Sequence, residues 1–161
     1  MAEFSGCVAL TGATGFVGRY ILSGLLDANT RVRVLVRDPR KLNVQDARIE
    51  AIDGNLCEPT SLSRLVEGAT AVIHVVGIIM EAPRWGQTFR RVHLEGTRNL
   101  LEAARNASVK RWVHMSALGS RPDAASDYHR TKWAAEQAVR DSGLTYTIFR
   151  PSIIHGPDGE F

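Results

Sequence analysis

The segment LTGATGFVGRYIL, residues Leu10 to Leu22, places three glycines three residues apart between an apolar run and an amphipathic pattern. Glycine is costly inside regular structure, so repeated glycines at a strand-to-helix junction need a physical reason. Gly12 allows a tight turn, Gly15 allows a ligand to approach the main chain, and Gly18 allows the helix to lie close to the sheet. Free N–H groups and the positive end of a helix stabilise an anion. The segment therefore predicts a phosphate-binding turn.

Short apolar runs alternate with helical patterns along the rest of the chain. Strands are predicted at Cys7–Thr11, Val32–Val36, Arg48–Asp53, Ala71–Val76, Arg111–Ser116 and Thr145–Arg150, and helices at Phe16–Ala28, Pro59–Glu67, Trp85–Ala107 and Ser126–Asp141. Continuous apolar strands that alternate with helices indicate a parallel sheet covered on both faces. Right-handed crossovers then predict a doubly wound α/β sheet of six strands in the order 3-2-1-4-5-6. We expect residues 1–161 to form this one domain.

The composition is that of an ordinary globular protein, with 44% hydrophobic and 23% charged residues. The net charge of +3 is spread along the chain and forms no dense basic block, which argues against a nucleic-acid partner. Cys7 and Cys57 have no metal-ligand spacing, so we expect reduced thiols and no metal site. The longest apolar run, residues 71–80, is interrupted by His74 and is too short to span a bilayer. These features predict a cytoplasmic protein without a membrane span.

A second motif lies in the segment SDYHRTKWAAEQAV, where Tyr128 and Lys132 are four residues apart on a predicted helix. Both side chains then lie on one helical face. A nearby ammonium favours phenolate, so Lys132 is expected to lower the pKa of Tyr128 and to make it a useful proton donor and acceptor. An isolated pair of this kind is usually only an exposed helix pair. Ser116, 12 residues before Tyr128 and at the end of a predicted strand, favours a catalytic interpretation.

The glycine turn and the Tyr-Lys pair together resemble the TGxxGxxG and YxxxK motifs of the short-chain dehydrogenase/reductase superfamily. The segments GTRNLLEAA and TIFRPSIIHGP are similar to the extended and atypical, epimerase/dehydratase-type members. LVRDPRKL and HMSALG are most similar to the branch that includes the NAD(P)H-binding accessory subunit of complex I. The resemblance covers nearly all of residues 7–157. It implies an NAD(P)-binding Rossmann fold in which Ser116 holds the substrate oxygen, Tyr128 moves the proton and Lys132 binds the nicotinamide ribose.

The resemblance also implies which residues surround the dinucleotide. The expected cofactor-binding residues are Thr11, Gly12, Thr14, Gly15, Phe16, Val17, Gly18, Arg37, Asn55, Leu56, Val76, Gly77, Lys132 and Pro151. Asn55 stands where the family usually has Asp, although an amide carbonyl can still recognise the adenine amino group. His74 is expected to pack beneath the cofactor, with catalysis as the minor alternative.

Arg37 and Asp38 follow the second predicted strand and bear on the choice of nucleotide. An acid at this place binds the ribose of NAD, whereas a guanidinium can pair with a 2′-phosphate. Arg19 offers a second positive contact. We therefore expect NADP(H) to be preferred over NAD(H), with a solvated Arg37 at the strand end as the alternative.

Two functions remain open from the sequence. Ser116, Tyr128 and Lys132 favour an NAD(P)-dependent oxidoreductase or an epimerase/dehydratase-like enzyme that acts on an unknown small molecule. The alternative is a non-catalytic NAD(P)H-binding subunit or a redox-sensing regulator. The segments of the atypical branch support that alternative, and so does His93, which stands where many relatives have an Asn that helps to relay protons to the lysine.

Relatives place much of their substrate region after the segment RPSIIHGP, residues 150–157. The sequence ends shortly after this segment, so the substrate region is expected to be missing and the domain to be truncated after its sixth strand. A sixth strand left open would expose apolar side chains. We therefore expect little turnover from these residues alone and association into a homo-oligomer.

Overall fold

The computed structural model describes residues 6–157, and the two ends of the predicted 1–161 domain lie outside these residues. The strands are β1 Cys7–Thr11, β2 Arg31–Val36, β3 Ile49–Asp53, β4 Ala69–His74, β5 Arg111–Met115 and β6 Thr145–Phe149. The α-helices are α1 Phe16–Asp27, α2 Pro59–Val66, α3 Gly96–Asn106 and α4 Asp127–Arg140. Short 3-10 turns lie at Pro39–Lys41 and Pro83–Trp85, and a π-helical segment at Arg90–Glu95 leads directly into α3.

All six strands form one parallel sheet in the order β3-β2-β1-β4-β5-β6, which confirms the predicted topology. The strand order reverses beside β1, where the chain turns first to β2 and later to β4. Open α/β sheets bind ligands at this switch point, outside the carboxyl ends of the strands. The topology therefore places a crevice between the ends of β1 and β4.

Helices cover both faces of the sheet, and each face has its own apolar core. One core includes Trp112, Leu100 and Leu62, which come from β5, α3 and α2. The other includes Leu10 and Leu22, which come from β1 and α1. Burial on both faces explains why the strands read as continuous apolar runs.

The predicted helix at Trp85–Ala107 is wrong at its beginning. Ala82 and Gln87 form a tight reversal with two backbone hydrogen bonds, of 2.8 and 3.2 Å. Gly86 has a positive φ of 67°, which is a left-handed conformation that ends a helix. The helical backbone begins only at the π-helical segment. Strand β4 also begins and ends two residues earlier than predicted.

Glu136 is a fully buried carboxylate that joins α4 to the residue after β6. The Arg150 guanidinium donates to both of its oxygens, from Nε at 2.8 Å and from Nη2 at 2.6 Å. A second guanidinium, Arg140, lies 3.7 Å from the same carboxylate. Arg150 also lies over the Trp133 ring, 5.6 Å from its centroid. Arg150 is therefore the main partner of the buried charge.

Arg150→Ala should lower the free energy of unfolding by about 3 kcal/mol, because it leaves a buried carboxylate without its bidentate partner. Arg140→Ala removes an equal charge from the same carboxylate and should cost less than about 1 kcal/mol. Urea denaturation of both variants measures the difference. Equal losses would show that Glu136 depends on the net positive charge nearby and not on the paired hydrogen bonds.

Candidate functional site

The glycine turn has the geometry of a phosphate cradle. Gly12 has a φ of 81°, and a Cβ added there would lie 3.2 Å from the Val76 nitrogen. A Cβ on Gly18 would overlap the Gly12 carbonyl. Helix α1 follows with Gly15 as its N-cap, and no side chain caps its first turn. The first N–H groups of α1 thus remain available to an anion.

A cleft of about 620 Å³ opens at the carboxyl ends of β1 and β4. Part of the predicted cofactor set lines it: Gly12, Thr14, Gly15, Arg37, Asn55, Leu56, Val76 and Gly77. The volume lies within the usual range of small-molecule and cofactor sites. The cleft therefore joins the glycine turn to the ends of β2, β3 and β4.

Other predicted cofactor residues do not line this cleft: Thr11, Phe16, Val17, Gly18, Lys132 and Pro151. Thr11 is buried, and its hydroxyl is 2.7 Å from Nδ1 of His74. The Phe16 ring packs edge-on against Tyr20, with centroids 5.8 Å apart. The Pro151 carbonyl accepts a hydrogen bond of 2.8 Å from the Leu118 N–H. The structure therefore does not bring these six residues to the surface of the cleft.

The sequence does not predict the residues that form the opposite wall of the cleft. It comes from the turn and the π-helical segment that replace the start of the predicted long helix, and its residues are Trp85, Gly86, Gln87, Arg91 and Val92. Arg91 donates from Nε to the Cys57 sulfur at 3.3 Å, which raises the pKa of Arg91. The helix-breaking residues Pro83 and Gly86 were the available signal for this turn.

Two polar residues beside the cleft are already held by the chain itself. Both carboxylate oxygens of Asp38 accept from Arg40, at 2.9 Å and 3.1 Å, and this contact lowers the pKa of Asp38. The Asn55 amide oxygen accepts a 2.8 Å hydrogen bond from the Cys57 N–H. Arg37 is exposed on the cleft. The acid next to Arg37 thus stabilises a local turn.

Lys132 is buried at the ends of β4 and β5. Its ammonium donates to the Met115 carbonyl at 3.1 Å, and a Cβ added to Gly77 would lie 3.0 Å from its Nζ. Burial lowers the pKa of Lys132 to about 8, although the negative charge of Glu136 opposes this shift. The lysine therefore lies against the floor of the cleft without lining the open part of it.

Ser116 and Tyr128 also lie outside the lining of the cleft. The Ser116 hydroxyl is buried and donates to the Ser120 hydroxyl at 3.2 Å. The Tyr128 ring is held edge-on by Phe89, His93 and His129, at centroid distances of 5.7, 5.3 and 5.1 Å. Burial raises the pKa of Tyr128, so the expected lowering by Lys132 is wrong for this arrangement.

Three buried histidines, His74, His93 and His114, lie behind the site. Burial lowers the pKa of His74 well below its ordinary value and lowers those of His93 and His114 to about 3. His74 lies between the hydroxyls of Thr11 and Thr97, at 2.7 and 3.1 Å. It is therefore a buried packing residue, as expected, and all three rings are neutral near pH 7.

Within residues 6–157, no helix is long and apolar enough to cross a membrane. The same residues contain no group of three or more His, Cys, Asp or Glu side chains that is arranged to hold a metal ion.

A parallel sheet in this strand order, with a glycine cradle at the switch point, defines a Rossmann-type nucleotide-binding domain. Residues 12–160 match the family described as NAD(P)H-binding, and the chain belongs to this family. The match confirms the resemblance that the sequence motifs indicate.

Characterised relatives include both enzymes and subunits. The chain is 42% identical over 153 residues to ceramide reductase of Caulobacter vibrioides, a match that covers 94% of this chain and 47% of the relative. It is 30% identical over 150 residues to the 40 kDa subunit of mitochondrial NADH-ubiquinone oxidoreductase from Neurospora crassa, covering 90% of this chain and 40% of the relative. The chain thus spans about half the length of these relatives.

A solved structure has the same fold with a nucleotide bound. It is a short-chain dehydrogenase/reductase superfamily protein from Agrobacterium tumefaciens with bound NAD. The TM-score is 0.75 at 28% sequence identity, and the match covers 89% of this chain and 48% of that one.

Proposed function

We propose that this chain is the nucleotide-binding part of an NADP(H)-dependent reductase that acts through Ser116, Tyr128 and Lys132. The observation that carries the proposal is the position of Lys132. Its ammonium lies against Gly77 on the cleft floor, and it shares helix α4 with Tyr128, which is one helical turn away. The Lys132 side chain thereby connects the nucleotide cleft to Tyr128, the candidate proton donor.

The chain supplies binding groups along the whole cleft. The N–H groups at the start of α1 bind the pyrophosphate, and Asn55 and Leu56 border the adenine. Lys132 donates to the ribose hydroxyls at the other end, because its pKa of about 8 keeps most of its amine charged near pH 7. A bound nicotinamide supplies the hydride.

Tyr128 is the residue that transfers the proton. Its hydroxyl is protonated near neutrality and donates to a carbonyl oxygen as hydride arrives, and burial makes it a weaker acid than a free phenol by raising its pKa. Ser116 holds that oxygen in place, which requires its hydroxyl to turn from Ser120 towards the substrate.

Arg37→Ala should weaken NADPH binding roughly 10- to 150-fold and leave NADH binding unchanged, because a charged hydrogen bond to the 2′-phosphate is worth about 1.5–3 kcal/mol. The occupied carboxylate of Asp38 supports this preference, since it does not offer free oxygens to an NAD ribose. Calorimetric titration of both nucleotides measures the effect. Lys41→Ala removes the same charge four residues away and away from the cleft, so it should change neither affinity. Equal losses for both nucleotides in the Arg37 variant would refute the assignment.

We infer an apolar carbonyl compound as the substrate class. Large apolar side chains are exposed in the loops after β4, β5 and β6: Ile79, Met80, Leu118 and Ile153. The carboxyl ends of parallel strands meet at one edge of the sheet, so these loops share the edge that holds Lys132 and Ser116. The relative named ceramide reductase supports a lipid-like molecule.

A non-catalytic nucleotide-binding subunit is the second candidate. The raised pKa of Tyr128 and the position of Ser116 outside the cleft support it, and so does the relative that is a subunit of a respiratory complex. Association of copies through the exposed edge of β6, where Phe149 and Tyr146 are exposed, fits either candidate.

An NADPH oxidation screen over aldehydes, ketones and quinones with alkyl chains of increasing length separates the two candidates. The proposed reductase should oxidise NADPH with at least one ketone or aldehyde, and faster as the chain grows. A protein that binds NADPH but oxidises it with none of these compounds would favour the non-catalytic candidate.

A further inference from the structure

His93 has hydrogen-bond partners on both of its ring nitrogens. Nε2 accepts from the Ile78 N–H at 3.2 Å, and Nδ1 lies 3.0 Å from the Thr131 hydroxyl. The ring is 1% exposed and stacks on Phe89 with centroids 5.4 Å apart. It lies in the π-helical segment, a feature that often occurs at functional sites.

The two contacts are compatible with one tautomer. A backbone N–H only donates, so Nε2 must carry a lone pair and the proton of the neutral ring must lie on Nδ1. The Thr131 hydroxyl donates to backbone carbonyls of its own helix, to Asp127 at 2.7 Å and to Tyr128 at 3.0 Å. Thr131 can therefore accept from Nδ1 of His93 while it donates to one of these carbonyls. The Ile78 contact defines the Nδ1–H form, and the Thr131 contact is compatible with it.

These contacts join the cleft to the helix that bears the candidate catalytic residues. Ile78 follows Gly77, the floor residue that touches Lys132. On the other side of the ring, Thr131 precedes Lys132, and the Tyr128 ring packs edge-on against His93. The imidazole thus directly links the loop after β4 to the N-terminal part of α4.

We propose that His93 is a positioning residue which, as a fixed neutral Nδ1–H tautomer, clamps Ile78 to Thr131 and so holds Lys132 and Tyr128 at the nicotinamide end of the cleft. The roles of Lys132 and Tyr128 in this inference rest on the proposed function. A proton relay through this ring would need the opposite tautomer for part of each cycle. That tautomer breaks the hydrogen bond from the Ile78 N–H, so His93 holds the site and does not carry protons.

The clamp acts on one end of the cleft, and this allows a test by ligand size. His93→Leu removes both contacts and should weaken NADPH about tenfold, while adenosine 2′,5′-bisphosphate, which lacks the nicotinamide half, should bind unchanged. His93→Gln places an amide oxygen where Nε2 lies and should restore most of the NADPH affinity. His93→Asn reaches only the Nδ1 position and should not restore it. Calorimetric titration of both ligands gives the affinities.

His114→Leu is the matched control, because His114 is equally buried and neither of its ring nitrogens has a hydrogen-bond partner among residues 6–157. It should leave both affinities unchanged. Nitrogen-detected NMR of the unmodified protein reports the His93 tautomer without any turnover and should show the Nδ1–H form. An Nε2–H form, or a charged ring at neutral pH, would overturn the inference.

Equal losses of NADPH and adenosine 2′,5′-bisphosphate in His93→Leu, or no loss of either, would also overturn it. Failure of the proposed function would give a different set of results. A protein that binds NADPH but reduces no carbonyl compound refutes catalysis and leaves the affinity comparison intact. A protein that binds neither ligand refutes the proposed function, and the tautomer alone then decides the inference.

Discussion

Lowering the pH from 7 to 4.5 should remove about 5 kcal/mol of folding free energy, because the buried His93 and His114 must take up protons when the chain unfolds. The unfolded chain binds these protons below its ordinary histidine pKa of 6.5, whereas folded His93 and His114 bind theirs only near pH 3. Folded His74 also resists protonation. The contribution of these histidines to stability is therefore complete above pH 6.5 and is lost as the pH drops between 6.5 and 3.

The slope that His93 and His114 contribute in this range should approach about 3 kcal/mol per pH unit, since each proton contributes about 1.4 kcal/mol per unit. Domains are typically stable by about 5–15 kcal/mol, so acid unfolding should begin well above the range in which carboxylates titrate. Urea denaturation at a series of pH values measures the slope. His114→Leu removes one of these protons and loses no hydrogen bond among the described residues, so it should reduce the slope by about 1.4 kcal/mol per pH unit. A stability that stays constant from pH 7 to 5 would contradict the prediction.

Tyr128→Phe should lower the rate of NADPH-dependent carbonyl reduction about 10²- to 10⁴-fold, which is the usual contribution of a positioned proton donor. The ring keeps its edge contacts with Phe89, His93 and His129 in this variant. The melting temperature and the NADPH affinity should therefore stay the same. Steady-state NADPH oxidation, with the substrate found in the screen, measures the effect.

Tyr146→Phe is the control for this substitution. Its hydroxyl contacts Arg140 at 3.3 Å on β6, away from the cleft, so removing it should leave turnover unchanged. A Tyr128→Phe variant that turned over at the normal rate would remove Tyr128 from the mechanism. Another group would then have to donate the proton, and the proposed use of Ser116, Tyr128 and Lys132 would be refuted.

Local patterns were sufficient to predict the fold. Five of the six strands were placed to within a residue at each end, and the strand order follows from alternating strands and helices with right-handed crossovers. The glycine spacing predicted the phosphate cradle because the positive φ of Gly12 and the contact of Gly18 with the Gly12 carbonyl arise within a few residues of each other. Short-range constraints of this kind can be predicted from the sequence alone.

The opposite wall of the cleft could not be predicted from periodicity. The segment from Phe89 onwards has a helical apolar pattern, and the pattern continues backward into residues that instead form a turn. Pro83 and Gly86 end the helix there, and the π-helical segment then changes which side chains face α4. Trp85 and Arg91 reach the cleft only as a result of these backbone changes.

The sequence by itself determined the doubly wound sheet, the nucleotide cradle and the presence of Ser116, Tyr128 and Lys132, because these depend on periodicity and close spacing. Only the tertiary structure decided their environments. Lys132 donates to a carbonyl 17 residues away, and His93 bonds a residue 38 positions away. Burial therefore raises the pKa of Tyr128 where proximity in sequence predicted a lowered one. Desolvation depends on everything that packs around a group, and that packing exists only once distant segments of the chain have come together.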